Sequence, residues 1–288
     1  MFKTLPILAS LLLAPFQLLS AQHDFTEIDV KAKLAAVAYS NADVIKSALE
    51  NQSQVLVHQS TIEENQVSYF LTEYNGVQTI VIRGTANEAN VMVDLDLELK
   101  PDTQLNIKLH QGFASGARAI LNEVKPYLKA DQPVHLTGHS LGGAIAVVLG
   151  MYLEKSDFNV TQIITFGQPK VTNVGGADLF TDLPLIRVVT PDDIVPLVPP
   201  ISPLQIRDLD IYWHMGVGVI LDGNGKYSEV SGVKSALRAT KFTSSVPGQK
   251  NINAHMMTEY IRLIEQLKIS AQEIPYETGI SLFGLSIN

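Results

Sequence analysis
The segment Val134-His135-Leu136-Thr137-Gly138-His139-Ser140-Leu141-Gly142-Gly143-Ala144 constrains this chain more than any other. A short apolar strand, Val134–Thr137, runs into a serine that has Gly138 and Gly142 two residues away on either side, and an apolar helix over Leu141–Leu153 follows. A serine on so sharp a strand-to-helix turn is strained, and side chains at the two flanking positions would collide. The turn lifts the Ser140 hydroxyl clear of its sheet. It also sets the Leu141 amide at a helix N-terminus, where it can stabilise a developing oxyanion. A bare Gly-x-Ser-x-Gly arises often by chance in loops. The strand before it and the helix after it are the context that gives the pattern chemical meaning.

Strand and helix signals alternate along the rest of the chain. Ile28–Tyr39 carries apolar side chains at helical spacing and predicts an opening helix. Gln66–Tyr74 and Val77–Arg83 flank Asn75-Gly76, a hairpin signal because both turn positions need positive φ. Val160–Phe166 and Leu185–Thr190 read as strands. Ile211–Leu221 and a strand near Tyr227 flank Asp222-Gly223-Asn224-Gly225, a second hairpin, and Met257–Leu267 closes with an amphipathic helix. Such alternation with edge hairpins predicts an α/β fold, a mixed and mostly parallel sheet covered by helices. Neither a repeat nor a low-complexity linker interrupts it, so residues 22–288 read as one domain, expected to be a monomer.

Composition narrows the partners. Of 288 residues 46% are hydrophobic and 17% charged, enough to bury a large core. The net charge of -8 argues against nucleic acid, whose phosphates would repel it, and against tight binding to anionic membranes. Neutral lipids and esters remain compatible. Cysteine is absent, which excludes disulfides, thiolate metal sites and a cysteine nucleophile. At the start, Lys3 precedes an apolar stretch from Leu5 to Leu19, then Ser20 and Ala21, the layout of a cleaved signal peptide over residues 1–21. The stretch is shorter than the roughly 20 residues a spanning helix needs, and Pro6 and Pro15 interrupt it. An exported chain, secreted or periplasmic, with no transmembrane segment once matured is the expectation.

A serine hydroxyl needs a histidine to take its proton and an acid to orient that histidine. On an elbow of this kind the chain order is serine, acid, histidine. His214 and His255 lie after the plausible acids, Asp192 and Asp193. His214 sits in the apolar run Tyr212–Val217, where a hydrogen-bonded core role is the ordinary reading. His255 lies in a polar loop, Asn251-Ile252-Asn253-Ala254, just before the last helix.

Gly138-His139-Ser140-Leu141-Gly142-Gly143-Ala144 resembles the nucleophile elbow of the class 3 lipase family, which contains the fungal triacylglycerol lipases. Four further segments fit that family in the same order: Arg83-Gly84-Thr85, His110-Gln111-Gly112-Phe113, Phe166-Gly167-Gln168-Pro169-Lys170-Val171, and Arg187 through Pro196. The resemblance implies an α/β-hydrolase-like domain with a short lid, and ester hydrolysis without cofactor or metal, with an oil–water interface as one place where substrate is met. It implies Ser140 as nucleophile, Asp193 as the acid because the family reads Asp-x-Val-Pro, and His255 as the base, followed by a tyrosine matching Tyr260. Ala254 stands where the family often has aspartate. It further implies the Thr85 and Leu141 amides as oxyanion donors. The lid would span about Asn87 to Val93, with Val91 where fungal members often carry tryptophan and Met92 beside it. Strand-like alternation from Val91 to Lys100 competes with that helix, and an extended segment after Val93 reconciles the two. The family also contains phospholipases A1, short-chain carboxylesterases and feruloyl esterases. A non-catalytic lipid-binding relative would lack a triad residue, and none is missing.

Three metal readings are weaker than their plain alternatives. Asp94, Asp96 and Glu98 read as a solvated strand face, Lys226 spoils a calcium loop at Asp222-Gly223-Asn224-Gly225, and His58, His135 and His139 lack ligand spacing. His110 reads as structural.

Overall fold
The computed structural model describes residues 23–85, 98–200, 202–208, 210–239, 248–277, 281–282 and 285–286. The expected leader, the expected lid residues Asn87, Val91 and Met92, and the carboxylates Asp94 and Asp96 lie outside them; Glu98, within them, pairs with Lys100 at 3.2 Å.

Helices α1 (Phe25–Val37) and α2 (Ala42–Asn51) come first, capped by Asp24 and Asn41, whose side chains accept from first-turn amides. Strands β1 (Val55–Ile62), β2 (Val67–Tyr74) and β3 (Val77–Ile82) form an antiparallel ribbon. Asn75 (φ 49°) and Gly76 (φ 77°) make the expected turn between the last two. Next come β4 (Leu99–Asp102), β5 (Ile107–His110), α3 (Gln111–Val124), β6 (Val134–His139) and α4 (Leu141–Lys155). They are followed by β7 (Val160–Phe166), β8 (Thr172–Asn173), α5 (Val174–Leu179), β9 (Leu185–Val189) and α6 (Pro203–Arg207). The C-terminal part holds β10 (Tyr212–Trp213), β11 (Val217–Gly223), β12 (Lys226–Val230), α7 (Gly232–Ala239), α8 (Gln249–His255), α9 (Met257–Ile269), β13 (Gln272–Glu273), β14 (Ser281–Leu282) and β15 (Leu285–Ser286).

The main sheet runs β1-β2-β3-β6-β7-β9-β11-β12-β13, and its centre, β3, β6, β7, β9 and β11, is parallel. Period-two alternation splits the side chains between two helical layers. Ile80, Ile82 and Ile163 pack with α3 and α4 on one face. Val81 faces α1 and α2, and Ile164 faces α1 and α9, on the other. Helix α4 is buried from Gly142 to Leu153, the condition of a helix that is apolar all round. Buried Asp102 fastens β4 to the helical layer, accepting from Arg118 at 2.7 Å on α3 and from the Tyr152 hydroxyl at 2.5 Å on α4. Among the described residues no helix is long and apolar enough to cross a membrane.

One expected strand is broken. Ile211–Leu221 does not run as a single strand: β10 joins a small sheet, β10-β8-β5-β4, while β11 joins the main one. The break falls at Gly216, whose φ of 62° turns the chain, and a Cβ there would lie 2.3 Å from Leu185 O.

Parallel register brings the carboxyl ends of four strands level: Ile82 pairs with Gly138, Gly138 with Thr165, and Thr165 with Arg187. Ligands of open α/β sheets bind beyond such ends. The residues singled out above gather there.

Candidate active site
Ser140 joins β6 to α4 with φ 56° and ψ −127°, a strained conformation for a residue with a side chain. Close packing makes that turn possible. A Cβ on Gly138 would lie 2.5 Å from Gly142 C, and one on Gly142 would lie 2.2 Å from Ile82 O. The Ser140 amide donates to Phe166 O at 2.8 Å, tying the elbow to β7. Leu141 heads α4, so its N–H has no acceptor within the helix. A Cβ on Gly84 would lie 3.3 Å from Ser140 Cβ, so the chain reaching half-buried Thr85 passes against the elbow.

Asp193 and His255 meet across the chain. His255 Nδ1 donates to Asp193 Oδ2 at 2.8 Å, and both residues are buried. Tyr260, one turn into α9, donates its hydroxyl to the same oxygen at 2.5 Å, and the Val195 amide donates to Oδ1 at 2.9 Å. Burial, and then the negative charge of Asp193, push the Tyr260 hydroxyl well above its usual range, so it remains a donor. Gly167 (φ 58°) leaves room for the pair: a Cβ there would lie 2.8 Å from Asp193 Oδ2 and from His255 Nδ1. Thr190 Oγ1 donates to Ala254 O at 2.7 Å, a second tie between the acid loop and the histidine segment.

His139 joins this pair to the elbow. Its Nε2 lies 2.7 Å from His255 O, an acceptor only, so the proton sits on Nε2 and Nδ1 accepts from the Tyr39 hydroxyl at 2.8 Å. The His139 and His255 rings pack with centroids 4.4 Å apart. Burial, and then the neighbouring His255, hold the His139 imidazole well below its ordinary range. Burial, and then Arg187 and Lys170, do the same to His214, and burial lowers His135 to about 4.

These three histidines set a pH dependence of stability. Their folded-state pKa values lie below the unfolded value near 6.5, so the unfolded chain binds the protons first. Stability is intact above about pH 6.5 and falls as pH drops through the window, by about 1.4 kcal/mol per pH unit for each histidine. Urea midpoints should hold from pH 7.5 to about 6.5 and decline from there down to pH 5. A flat series would refute the neutral buried imidazoles.

His214 does not join the cluster at Ser140. Its Nε2 donates to Pro196 O at 2.7 Å, a structural role, and it lies between β10 and β11 rather than inside a strand. Asp192 turns outward to Lys250 at 2.9 Å. The segment before His255, read as a loop, is the short helix α8, in which Asn251 caps Gly248 N and donates to Asp192 O. His110 caps α3 and stacks on Phe113. Among the described residues no group of three His, Asp or Glu side chains could hold a metal. Sequence reasoning missed Arg238, Lys170 and Tyr39. A tyrosine or arginine far along the chain carries no local signal of the contact it will make.

Residues 79–202 match the family described as Lipase (class 3). That segment belongs to the class 3 lipase family. It holds Thr85, Ser140, Leu141 and Asp193, while His255 lies beyond it. Among curated relatives, a secreted mono- and diacylglycerol lipase of Fusarium solani is 29% identical over 164 residues, 53% of this chain and 49% of that protein. A Rhizopus niveus lipase is 32% identical over 136 residues, 43% of this chain and 35% of that protein. The chain thus spans half or less of either relative's length. A solved triacylglycerol lipase, whose catalytic centre is formed by a serine protease triad, superposes with a TM-score of 0.59 at 24% identity, over 69% of this chain and 80% of that one. At that identity the likeness establishes the fold, an α/β-hydrolase-like one.

Proposed function
We propose that this chain hydrolyses carboxylic esters of the triacylglycerol type through an acyl-enzyme on Ser140. The observation that carries the reading is the buried Asp193–His255 hydrogen bond beside a strained serine elbow, at the carboxyl end of one sheet. With Nδ1 donating to the carboxylate, Nε2 of a neutral His255 is the basic nitrogen. It accepts the Ser140 proton as Oγ attacks the ester carbonyl, and the tetrahedral oxyanion takes hydrogen bonds from the Leu141 and Thr85 amides. The imidazolium then gives that proton to the leaving alkoxide, and water repeats the sequence to release the acid. Ser140 Oγ makes no hydrogen bond among the described residues. Catalytic hydrogen bonds in resting sites are often long and close only with substrate.

Neutral lipid esters suit a net charge of -8 better than anionic surfaces do. The Fusarium and Rhizopus relatives, named lipases, support the same substrate class. In this reading residues 1–21 direct export, 22–288 form the enzyme, and a modest lid near Asn87, Val91 and Met92 gives weak interfacial activation. A fluorophosphonate probe should label the wild type at Ser140 and leave Ser140→Ala unlabelled, and among p-nitrophenyl esters those of short to medium chain length should be cleaved best. The Thr85 hydroxyl is read as a donor beside its own amide, and both Thr85→Ser and Thr85→Val leave that amide in place. Thr85→Val should therefore lose more rate than Thr85→Ser, up to the 10²–10³-fold cost of a lost oxyanion donor, and equal rates would remove the hydroxyl from the chemistry. An unlabelled, inert but folded wild type would remove the proposal.

A further inference from the structure
Every carbonyl of the loop that carries Asp193, from Thr190 to Pro199, accepts a hydrogen bond, and most of the donors come from outside the loop. Arg238 on α7 sends Nη2 to Thr190 O at 3.0 Å, Pro191 O at 3.4 Å and Asp193 O at 3.4 Å. Asn251 Nδ2 reaches Asp192 O at 2.8 Å, and His214 Nε2 reaches Pro196 O at 2.7 Å. Lys170 Nζ lies 2.5 Å from Leu197 O and 2.7 Å from Pro199 O, and its own amide donates to Val198 O at 3.0 Å. The carbonyls of Ile194 and Val195 accept from Leu197 N and Val198 N within the loop.

Arg238, Lys170 and Arg187 are all buried, and none forms a salt bridge among the described residues. Arg187 donates to Met215 O at 2.7 Å and to Ser235 Oγ at 3.3 Å, and Ser235 precedes Arg238 by three residues on the same face of α7. Burying a cation without a carboxylate costs more than filling the same space with an apolar side chain. Stability alone does not explain Arg238, whose guanidinium lies against the carbonyls of Thr190, Pro191 and of the acid Asp193 itself.

We infer that Arg238 is a positioning residue for the catalytic acid: it holds the Asp193 loop by its backbone and places a fixed positive charge behind the Asp193–His255 pair. This rests on the triad reading above. The groups facing that pair are Tyr260 from α9, neutral His139 from β6 and Arg238 from α7, with the Lys250–Asp192 pair at the surface. Tyr276 and Asp222 also act on Arg238 electrostatically, as do Asp193 and Tyr260. Without the Arg238 charge, Asp193 stabilises a protonated His255 more strongly. The acid limb of the rate profile then moves to higher pH.

The test compares Arg238→Met and Arg238→Lys with the wild-type full chain on a soluble p-nitrophenyl ester. It measures kcat, KM, the pH profile of kcat/KM and the melting midpoint. Arg238→Met is expected to lower kcat roughly 10- to 100-fold, the scale of a slightly misplaced catalytic group, with KM within about 2-fold. Its acid limb should move up. Arg238→Lys keeps the charge and should hold the limb in place while recovering part of kcat. A folded Arg238→Met with wild-type kcat and limb overturns the inference, whatever its melting midpoint. Should that variant not fold, Arg238→Lys decides: a reduced kcat with an unmoved limb supports the role, and an unchanged kcat overturns it. Asp193→Asn separates the two readings. Full activity there sinks the triad itself, whereas an inactive Asp193→Asn beside an unaffected Arg238→Met sinks only this inference.

Discussion

Ser140→Ala is expected to lower kcat on a soluble ester by about 10⁴-fold or more, and His255→Ala by a comparable factor. The two act as one unit: the hydroxyl is a poor nucleophile until the imidazole takes its proton, and the imidazole has nothing to activate once the hydroxyl is gone. Their double variant should therefore lose little beyond either single one. Asp193→Asn should be nearly as damaging. An amide in place of the carboxylate can turn its NH₂ toward His255 and reverse the tautomer, leaving the proton on the nitrogen that must be basic. Asp192→Asn is the matched comparison, because that side chain faces Lys250 at the surface and not the histidine. It should stay within about 2-fold of wild type, as surface changes usually do. Losses that multiply in the double variant, or a dead Asp192→Asn beside an active Asp193→Asn, would reassign the site.

The parts of the molecule legible in its sequence are those whose cause is local. The elbow could be read because two glycines, a strand and a helix must coincide within a few residues, and the structure sets a strained Ser140 there. The hairpin at Asn75-Gly76 could be read because two adjacent positive φ values restrict the residues allowed. Asp193 was separable from Asp192 only through the family pattern, since two neighbouring carboxylates look alike until burial distinguishes them. What stayed hidden is set by distant contacts. Ile211–Leu221 has the apolar content of one strand, yet Gly216 must turn where Leu185 O approaches, and no periodicity encodes that approach. Helix α8 was hidden by its asparagines, which favour loops until Asn251 finds Gly248 N and Asp192 O. Arg238 sits in a short helix that sequence reasoning did not find, and its worth lies in carbonyls 45 to 48 residues earlier along the chain.

Gly142→Ala carries the second large effect, and here stability and rate should fall together. A Cβ at that position would lie 2.2 Å from Ile82 O, 2.8 Å from Arg83 C and 2.9 Å from Arg83 O. All three obstacles are backbone, so no side chain can swing aside. The end of β3 must move away from the start of α4, yet β3 is held in register with β6 through Ile82 and Gly138. Overpacking of this kind costs up to about 3 kcal/mol or more. The displacement also separates Gly84 and Thr85 from Ser140 and Leu141, the two sides of the proposed oxyanion site. Two other glycines grade the effect. At Gly143 the nearest atom to a Cβ is Gly138 O at 3.0 Å, a tight contact, and at Gly175 only Asn173 Oδ1 comes near, at 3.8 Å. Gly175→Ala lies in α5, where alanine should be neutral or stabilising by up to about 1 kcal/mol. Urea midpoints should thus fall in the order Gly175→Ala, Gly143→Ala, Gly142→Ala, and kcat per folded molecule should drop most in the last. Wild-type stability and rate for Gly142→Ala would mean that β3 and α4 do not approach as closely as described. A loss of stability with kcat intact would detach the β3 end from the oxyanion site and leave Leu141 as its sole donor.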